Sequence, residues 1–250
     1  MSFLDFLYEH YYAVSFIIIG LAMLPFALMF EGRRPQAREL VVIAVMVAVT
    51  VAGRAAFFMV PQFKPVVALV IISGAALGAQ SGFMVGALSG FVSNFIFGQG
   101  PWTPWQMFAF GIIGFFAGVI FYRLAEAIGA PSREGSMQVD ASARWYDTNR
   151  LGWNVRARKR VEWLRVLVFC VFGALTTFVL YGLVLDTAAA VMFSYGDFSL
   201  TALIAIYISG MPMNAIHAGS TVFFLLLLAR PMIEKLERVK KKYGLLGART

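Results

Sequence analysis

Seven apolar stretches, each with at most one charged side chain, decide what this chain can fold into. They run over residues 11–30, 40–60, 65–79, 83–97, 105–124 and 163–185, with a last one ending at Ala229. Crossing about 30 Å of hydrocarbon takes about 20 helical residues at about 1.5 Å each. Hydrophobic residues make up 60% of the 250 and charged ones 14%, too apolar a balance for a chain folding in water. The solvent is therefore lipid, and the expected fold is an all-α integral membrane protein.

Two of the stretches, 65–79 and 83–97, are short, and charge decides whether they are one helix or two. Cytoplasmic loops collect Lys and Arg. With seven spans and the N-terminus outside, the inner side receives Arg33, Arg34 and Arg38, nine cations between Arg123 and Arg165, and seven from Arg230 to Arg249. That places 19 of the 21 basic residues on one face and leaves only Arg54 and Lys64. Merging the short spans would split the charge between two faces, so the polar Gln80-Ser81-Gly82 is read as a turn and the C-terminus as cytoplasmic. At the other end, Met1 to His10 carries Asp5 and Glu9 and no basic residue, unlike a cleavable export signal.

The resulting organisation is an N-terminal helix over 1–32, four helices over 38–128, a basic cytoplasmic linker over 129–161, two helices over 162–230 and a basic tail over 231–250. Ser209-Gly210-Met211-Pro212 interrupts the last apolar stretch. Because proline removes a backbone donor, 200–208 is expected as a separate outer segment and 212–229 as the span.

Small residues permit close helix approach in lipid. Gly74, Gly78, Gly82, Gly86 and Gly90 recur every fourth position and are read as packing between the two short spans. Ala44, Ala48 and Ala52 line one face of the second span, which is open to docking by a partner.

Several function classes are disfavoured. The acidic residues fall at helix ends or in loops in this reading, whereas proton-coupled carriers use carboxylates within the membrane. No G-x-x-x-x-G-K-[ST] loop is present, so ATP hydrolysis belongs to other chains. No nucleophile, acid and base set converges, and the only histidines, His10 and His217, give no metal cluster. The chain is therefore expected to be no enzyme and to carry no cofactor.

The polar residues inside the spans can be placed by height. Arg54 stands about 24 Å above Arg38, Asn214 about 24 Å and His217 about 20 Å above Arg230, and Asn94 about 21 Å above Gln80, all at helical rise. Four polar groups from three helices thus share one level near the outer face. Above them runs Gly98-Gln99-Gly100-Pro101-Trp102-Thr103-Pro104-Trp105-Gln106, whose two tryptophans, flanked by prolines, can wall a flat ligand. Each has a plainer reading as well. Arg54 can snorkel to headgroups, Trp102 and Trp105 can anchor at the interface, and Asn214 and His217 can serve the backbone freed by Pro212.

Gly53-Arg54-Ala55-Ala56-Phe57, Pro61-Gln62-Phe63-Lys64-Pro65, Ser93-Asn94-Phe95, the Gly98 to Met107 run, Pro212-Met213-Asn214 and His217 together resemble the substrate-binding (S) subunits of energy-coupling factor (ECF) transporters, over roughly residues 38 to 244. The resemblance implies a six-helix core, a vitamin bound near the outer face, docking through an alanine-rich helix (Ala44, Ala48, Ala52), and a prokaryotic plasma-membrane assembly with a transmembrane coupling subunit and two ATPases. It implies Arg54, Asn94, Gln99, Trp102, Trp105, Gln106, Asn214 and His217 as substrate-binding residues, and it is nearest to subunits taking up cobalamin or related corrinoids. The span over 11–30 and the long linker are additions to that plan. A stand-alone carrier or channel, and a membrane-embedded lipid-modifying enzyme, are the alternative functions.

Overall fold

The computed structural model describes residues 10–32, 35–129, 155–193 and 199–245. Arg33, Arg34, Asp5, Glu9 and most of the expected linker lie outside the described residues. Within them the chain is helical, with no strand. The elements are α1 (Tyr11–Gly32), α2 (Ala37–Ala56), α3 (Val66–Leu77), α4 (Ala79–Phe97), α5 (Thr103–Gly129), α6 (Val155–Leu175), a π-helical turn (Thr176–Tyr181), α7 (Gly182–Phe193) and α8 (Leu200–Tyr243). Helix α6 begins inside the stretch expected as linker.

Burial is inverted relative to a protein folded in water. Phe16, Ile17, Leu21, Val41, Val45, Phe95, Leu167 and Leu226 are exposed, while Thr50, Ser73, Ser81, Ser89, Ser93 and Asn94 are buried. Water would penalise such an apolar surface; lipid accepts it and leaves polar groups to pair inside. Four helical segments are long and apolar enough to cross a bilayer: Ala37–Ala56, Thr103–Phe121, Trp163–Met192 and Leu200–Lys240. Shorter apolar helices are Phe16–Gly32 and Val66–Leu77.

Helix α3 is buried along its whole length and forms the centre, with α2, α4, α5 and α8 packed around it. The α3–α4 break differs from expectation. It falls at Gly78, whose φ of 91° suits glycine, and Gln80, Ser81 and Gly82 are helical. Ser81 finds a partner without leaving the helix, its hydroxyl donating to Glu39 Oε1 at 3.0 Å. The glycine row does mediate packing, and its main partner is α5. A Cβ at Gly74 or Gly82 would lie 2.1 or 2.4 Å from the Gly114 carbonyl oxygen, and one at Gly86 would lie 2.3 Å from that of Phe110.

The last apolar stretch is also corrected. Pro212 does not end a helix: α8 is a single helix of 44 residues with Pro212 and Pro231 inside it. Proline costs one backbone bond, a cost that packed membrane helices tolerate, and α8 is held on one side by α6, α7 and α3. Its ends carry proper caps: Ser199 accepts from the Ala202 amide, and Gly244 turns left-handed with its N–H on the Lys240 carbonyl.

Helix α1 packs on α4, α5 and α7. Phe26 stacks on Phe83 at 4.4 Å and meets Phe115 edge-on at 5.0 Å. The flank bearing Ala44, Ala48 and Ala52 stays uncovered, and all three alanines are exposed.

Charge separates the two ends of the bundle. Arg38, Glu39, Arg230, Glu234, Glu237 and Lys240 gather at one end. There Lys240 Nζ donates to the Ala76 carbonyl at 2.9 Å and to Glu237 Oε1 at 3.1 Å. Arg54 and Lys64 stand at the other.

Candidate functional site

The Arg54 end is built by four helix ends. Arg54 lies in the last turn of α2 and is buried at 8% exposure, so it is no snorkelling residue. Its Nη1 donates to Asn94 Oδ1 at 3.0 Å and to the Ser93 hydroxyl. Its guanidinium lies 4.4 Å from the Phe97 ring centroid and 5.9 Å from that of Phe110. Ser93, Asn94 and Phe97 belong to the last turn of α4, so one residue fastens α2 to α4.

Asn94 passes the network to α5. Its Nδ2 donates to Thr103 Oγ1 at 3.1 Å, and that hydroxyl donates to Gln99 Oε1 at 3.0 Å while accepting from the Gly100 amide at 3.2 Å. Gln99 Nε2 in turn donates to the Phe91 carbonyl at 3.1 Å. The 98–102 loop is thereby tied down, and Trp102 folds back over Gly100, where a Cβ would meet its ring at 2.4 Å.

One turn further along α5, Gln106 Nε2 donates to the Tyr181 hydroxyl at 3.2 Å. Tyr181 stacks on Phe110 with centroids 5.1 Å apart and meets the His217 ring edge-on at 4.7 Å. It closes the π-helical turn. That extra residue per turn breaks the 3.6-residue register, as such turns do at many functional sites. Thr177, in the same turn, bonds Thr221 of α8 at 3.1 Å.

Three buried polar atoms here have no hydrogen-bond partner: Trp105 Nε1, Gln106 Oε1 and His217 Nδ1. Gln106 and His217 are 6% and 2% exposed. Whichever way the Gln106 amide is turned, one of its two polar atoms stays unpaired. An unmet buried donor or acceptor costs about 1–3 kcal/mol, and folded proteins keep few of them.

The α2–α3 loop forms the remaining wall. Ser220 of α8 accepts from the Lys64 amide at 3.2 Å and can donate to the Lys64 carbonyl at 3.1 Å, while Gln62 adopts φ 56°. The Lys64 ammonium lies 5.1 Å from the Phe97 centroid. Partial burial and the nearby charge of Arg54 push the Lys64 ammonium below the usual lysine range.

Of the residues singled out from sequence, Arg54, Asn94 and Gln99 fall into one network through Ser93 and Thr103. Gln106 and His217 meet at Tyr181, and Trp102 and Trp105 flank these groups. Asn214 turns elsewhere: its Nδ2 donates to Asp186 Oδ2 at 2.9 Å. Sequence reasoning did not single out Tyr181, Thr103, Phe97 or Lys64. Thr103 and Lys64 stand in the segments that carry the family resemblance. Tyr181, a polar-tipped ring inside an apolar run, gave no spacing signal.

An apolar groove of about 470 Å³, lined by Arg38, Val41, Val45, Met46, Leu236 and Tyr243 among others, lies at the opposite end, beside the exposed alanine face. It has no polar cluster and is not the site described above.

Comparison with known families places this geometry. Residues 35–136 match the family model described as ECF-type riboflavin transporter, S component. The match covers less than half of the 250 residues, and over that segment the chain is similar to an S component of the energy-coupling factor type. S components are substrate-binding subunits of vitamin uptake rather than enzymes. They work in the prokaryotic plasma membrane with a transmembrane coupling subunit and two ATPases. The matched residues include Arg54, Asn94, Gln99, Trp102, Trp105 and Gln106, and stop short of Tyr181, Asn214 and His217. No curated protein and no solved structure matches the chain.

Proposed function

We propose that the chain captures a ring-bearing vitamin between the ends of α2, α4 and α5 and the middle of α8 and delivers it when an ATP-driven partner reorients the bundle. The observation carrying this reading is the set of unpaired buried atoms on Gln106 and His217, which both meet Tyr181, and on Trp105, the neighbour of Gln106 on α5. An indole N–H, a side-chain amide and an imidazole nitrogen offer donors and acceptors to a polar ring edge. Phe97, Phe110, Trp102 and Trp105 offer flat apolar surface. The riboflavin-type family model puts a flavin first among such ligands, with a corrinoid such as cobalamin as the second candidate. Arg54, Asn94, Gln99, Trp102, Trp105, Gln106, Asn214 and His217 remain the proposed binding residues, with Tyr181 and Thr103 added.

The proposal includes seven membrane crossings, with α6 and α7 as one crossing through the π turn, the N-terminus outside and the C-terminus in the cytoplasm. The gathering of Arg38, Arg230 and Lys240 at one end supports that orientation. The exposed Ala44, Ala48 and Ala52 are the proposed docking face for the coupling subunit. Burial of Arg54 and Lys64 at the opposite end keeps the vitamin site clear of it.

The test is uptake in proteoliposomes. With coupling subunit, ATPases and ATP, accumulation of labelled riboflavin or cobalamin is expected, and the chain alone is expected to bind without transporting. Transport by the chain alone would instead establish a stand-alone carrier.

A further inference from the structure

Two cations converge on one ring at the proposed site, and no carboxylate among the described residues pairs with them. Arg54 Cζ lies 4.4 Å and Lys64 Nζ 5.1 Å from the Phe97 centroid, so the charges are no further apart than those two distances together. Arg54 spends its hydrogen bonds on neutral oxygens of Ser93 and Asn94. Neither cation has an ion pair with an acidic side chain among the described residues. Asp186 of α7 is engaged by Asn214 at 2.9 Å. Elsewhere the chain does pair its buried charge: Lys240 is set against Glu237 at 3.1 Å.

Two like charges held together away from bulk water repel, and burial without an opposite charge adds a desolvation cost. A Phe face recovers only part of that. The arrangement is stable in a functional sense when an anion is delivered to it. Arginine and lysine suit this differently: the guanidinium keeps a planar fork of donors, and the ammonium acts as a point charge on a flexible stem.

We infer that the ligand is anionic: a ring-bearing vitamin derivative with a phosphate ester or carboxylate, its anion set between Arg54 and Lys64 beside Phe97 and its ring carried toward Tyr181. This rests on the vitamin-binding reading above and adds the charge of the substrate to it. A neutral vitamin would leave the two cations uncompensated, so the inference separates members of one vitamin class by a single group.

The experiment is calorimetric titration of the full-length chain in detergent with matched pairs: riboflavin and flavin mononucleotide, pyridoxal and pyridoxal phosphate, thiamine and thiamine monophosphate. Cobalamin and biotin complete the panel, biotin as a carboxylate without phosphate. The tightest ligand is expected to be an anion. Within a pair that binds, the phosphorylated member is expected to lead by about tenfold or more, as charge-assisted bonds in a partly buried site allow. That lead is expected to shrink in Lys64→Gln and as salt is raised. Lys64 is only half-buried, so the variant is expected to fold, and the salt series reads the same charge without any substitution. A neutral or cationic ligand binding tightest, or a lead indifferent to both Lys64→Gln and salt, would overturn the inference and leave the vitamin-binding reading standing. No binding across the panel would remove both.

Discussion

Replacing Gly82 with alanine tests the packing on which the site depends. A Cβ at this position would stand 2.4 Å from the Gly114 carbonyl oxygen and 2.5 Å from Gly74 Cα, whereas ordinary contact begins at 3.4 Å. Both obstacles are backbone on neighbouring helices, so no side chain can turn aside, and α4 must move off α3 and α5 by about 1 Å at the crossing. Overpacking of this kind costs about 1–3 kcal/mol, and obstruction on two sides places Gly82→Ala at the upper end. For a chain of this length about 3 kcal/mol lowers the unfolding midpoint by about 6–12 °C. The displacement also pulls Asn94 from Thr103, whose bond is 3.1 Å, so ligand affinity is expected to fall with stability. Cys170 is the only cysteine and is buried, so a thiol-reactive fluorophore reports unfolding directly. Gly20→Ala serves as the control, since a Cβ there meets nothing within 4 Å. If Gly82→Ala and Gly20→Ala melt together, the close glycine crossing is wrong.

Three further expectations follow from named contacts. Gln106→Met, which keeps volume and removes the half-paired amide, is expected to weaken vitamin binding by at least about tenfold, the worth of one buried hydrogen bond, while loss of the bond to the Tyr181 hydroxyl lowers the thiol-reported midpoint by only about 2–4 °C. Lys240→Met removes the 3.1 Å ion pair to the buried Glu237 and the bond to the Ala76 carbonyl and is expected to lower the thermal midpoint; adding Glu237→Gln in the same chain is expected to restore part of it. Since the Lys64 ammonium is held below its usual range by burial and by Arg54, its charge disappears on raising the pH through a value under 10.5. Titrations with flavin mononucleotide from pH 7 to 10 are therefore expected to show weakening affinity, and the Lys64→Gln series is expected to be flatter.

The all-helical membrane fold is legible in the sequence because lipid makes a simple demand: long apolar runs must be helices. Arg54 and Asn94 were readable as neighbours for the same reason, since a constant rise per residue converts position into height. What failed were details that neighbours decide. Pro212 reads locally as a stop, yet α8 continues through it, because one missing backbone bond does not end a long packed helix in a membrane. The α3–α4 turn was placed at Gln80 to Gly82, whereas Gly78 alone takes the positive φ and Ser81 stays helical on Glu39. The glycine row is legible, and its chief partner is a second row on α5, Gly111, Gly114 and Gly118, which the sequence reading leaves unpaired with it. Height groups Asn214 with Arg54, and its bond to Asp186 is a contact with α7 that height does not read. Tyr181 was missed because a π-helical turn resets the register, and nothing in Thr176 to Tyr181 announces one.

The most direct measurement is mass spectrometry of the small molecules that stay with the purified chain from its native membranes. The account requires one ring-bearing vitamin or vitamin derivative, in near-equal molar ratio to protein, depleted when Arg54 or Gln106 is replaced. Lipid alone, or a compound retained equally by those variants, would contradict it.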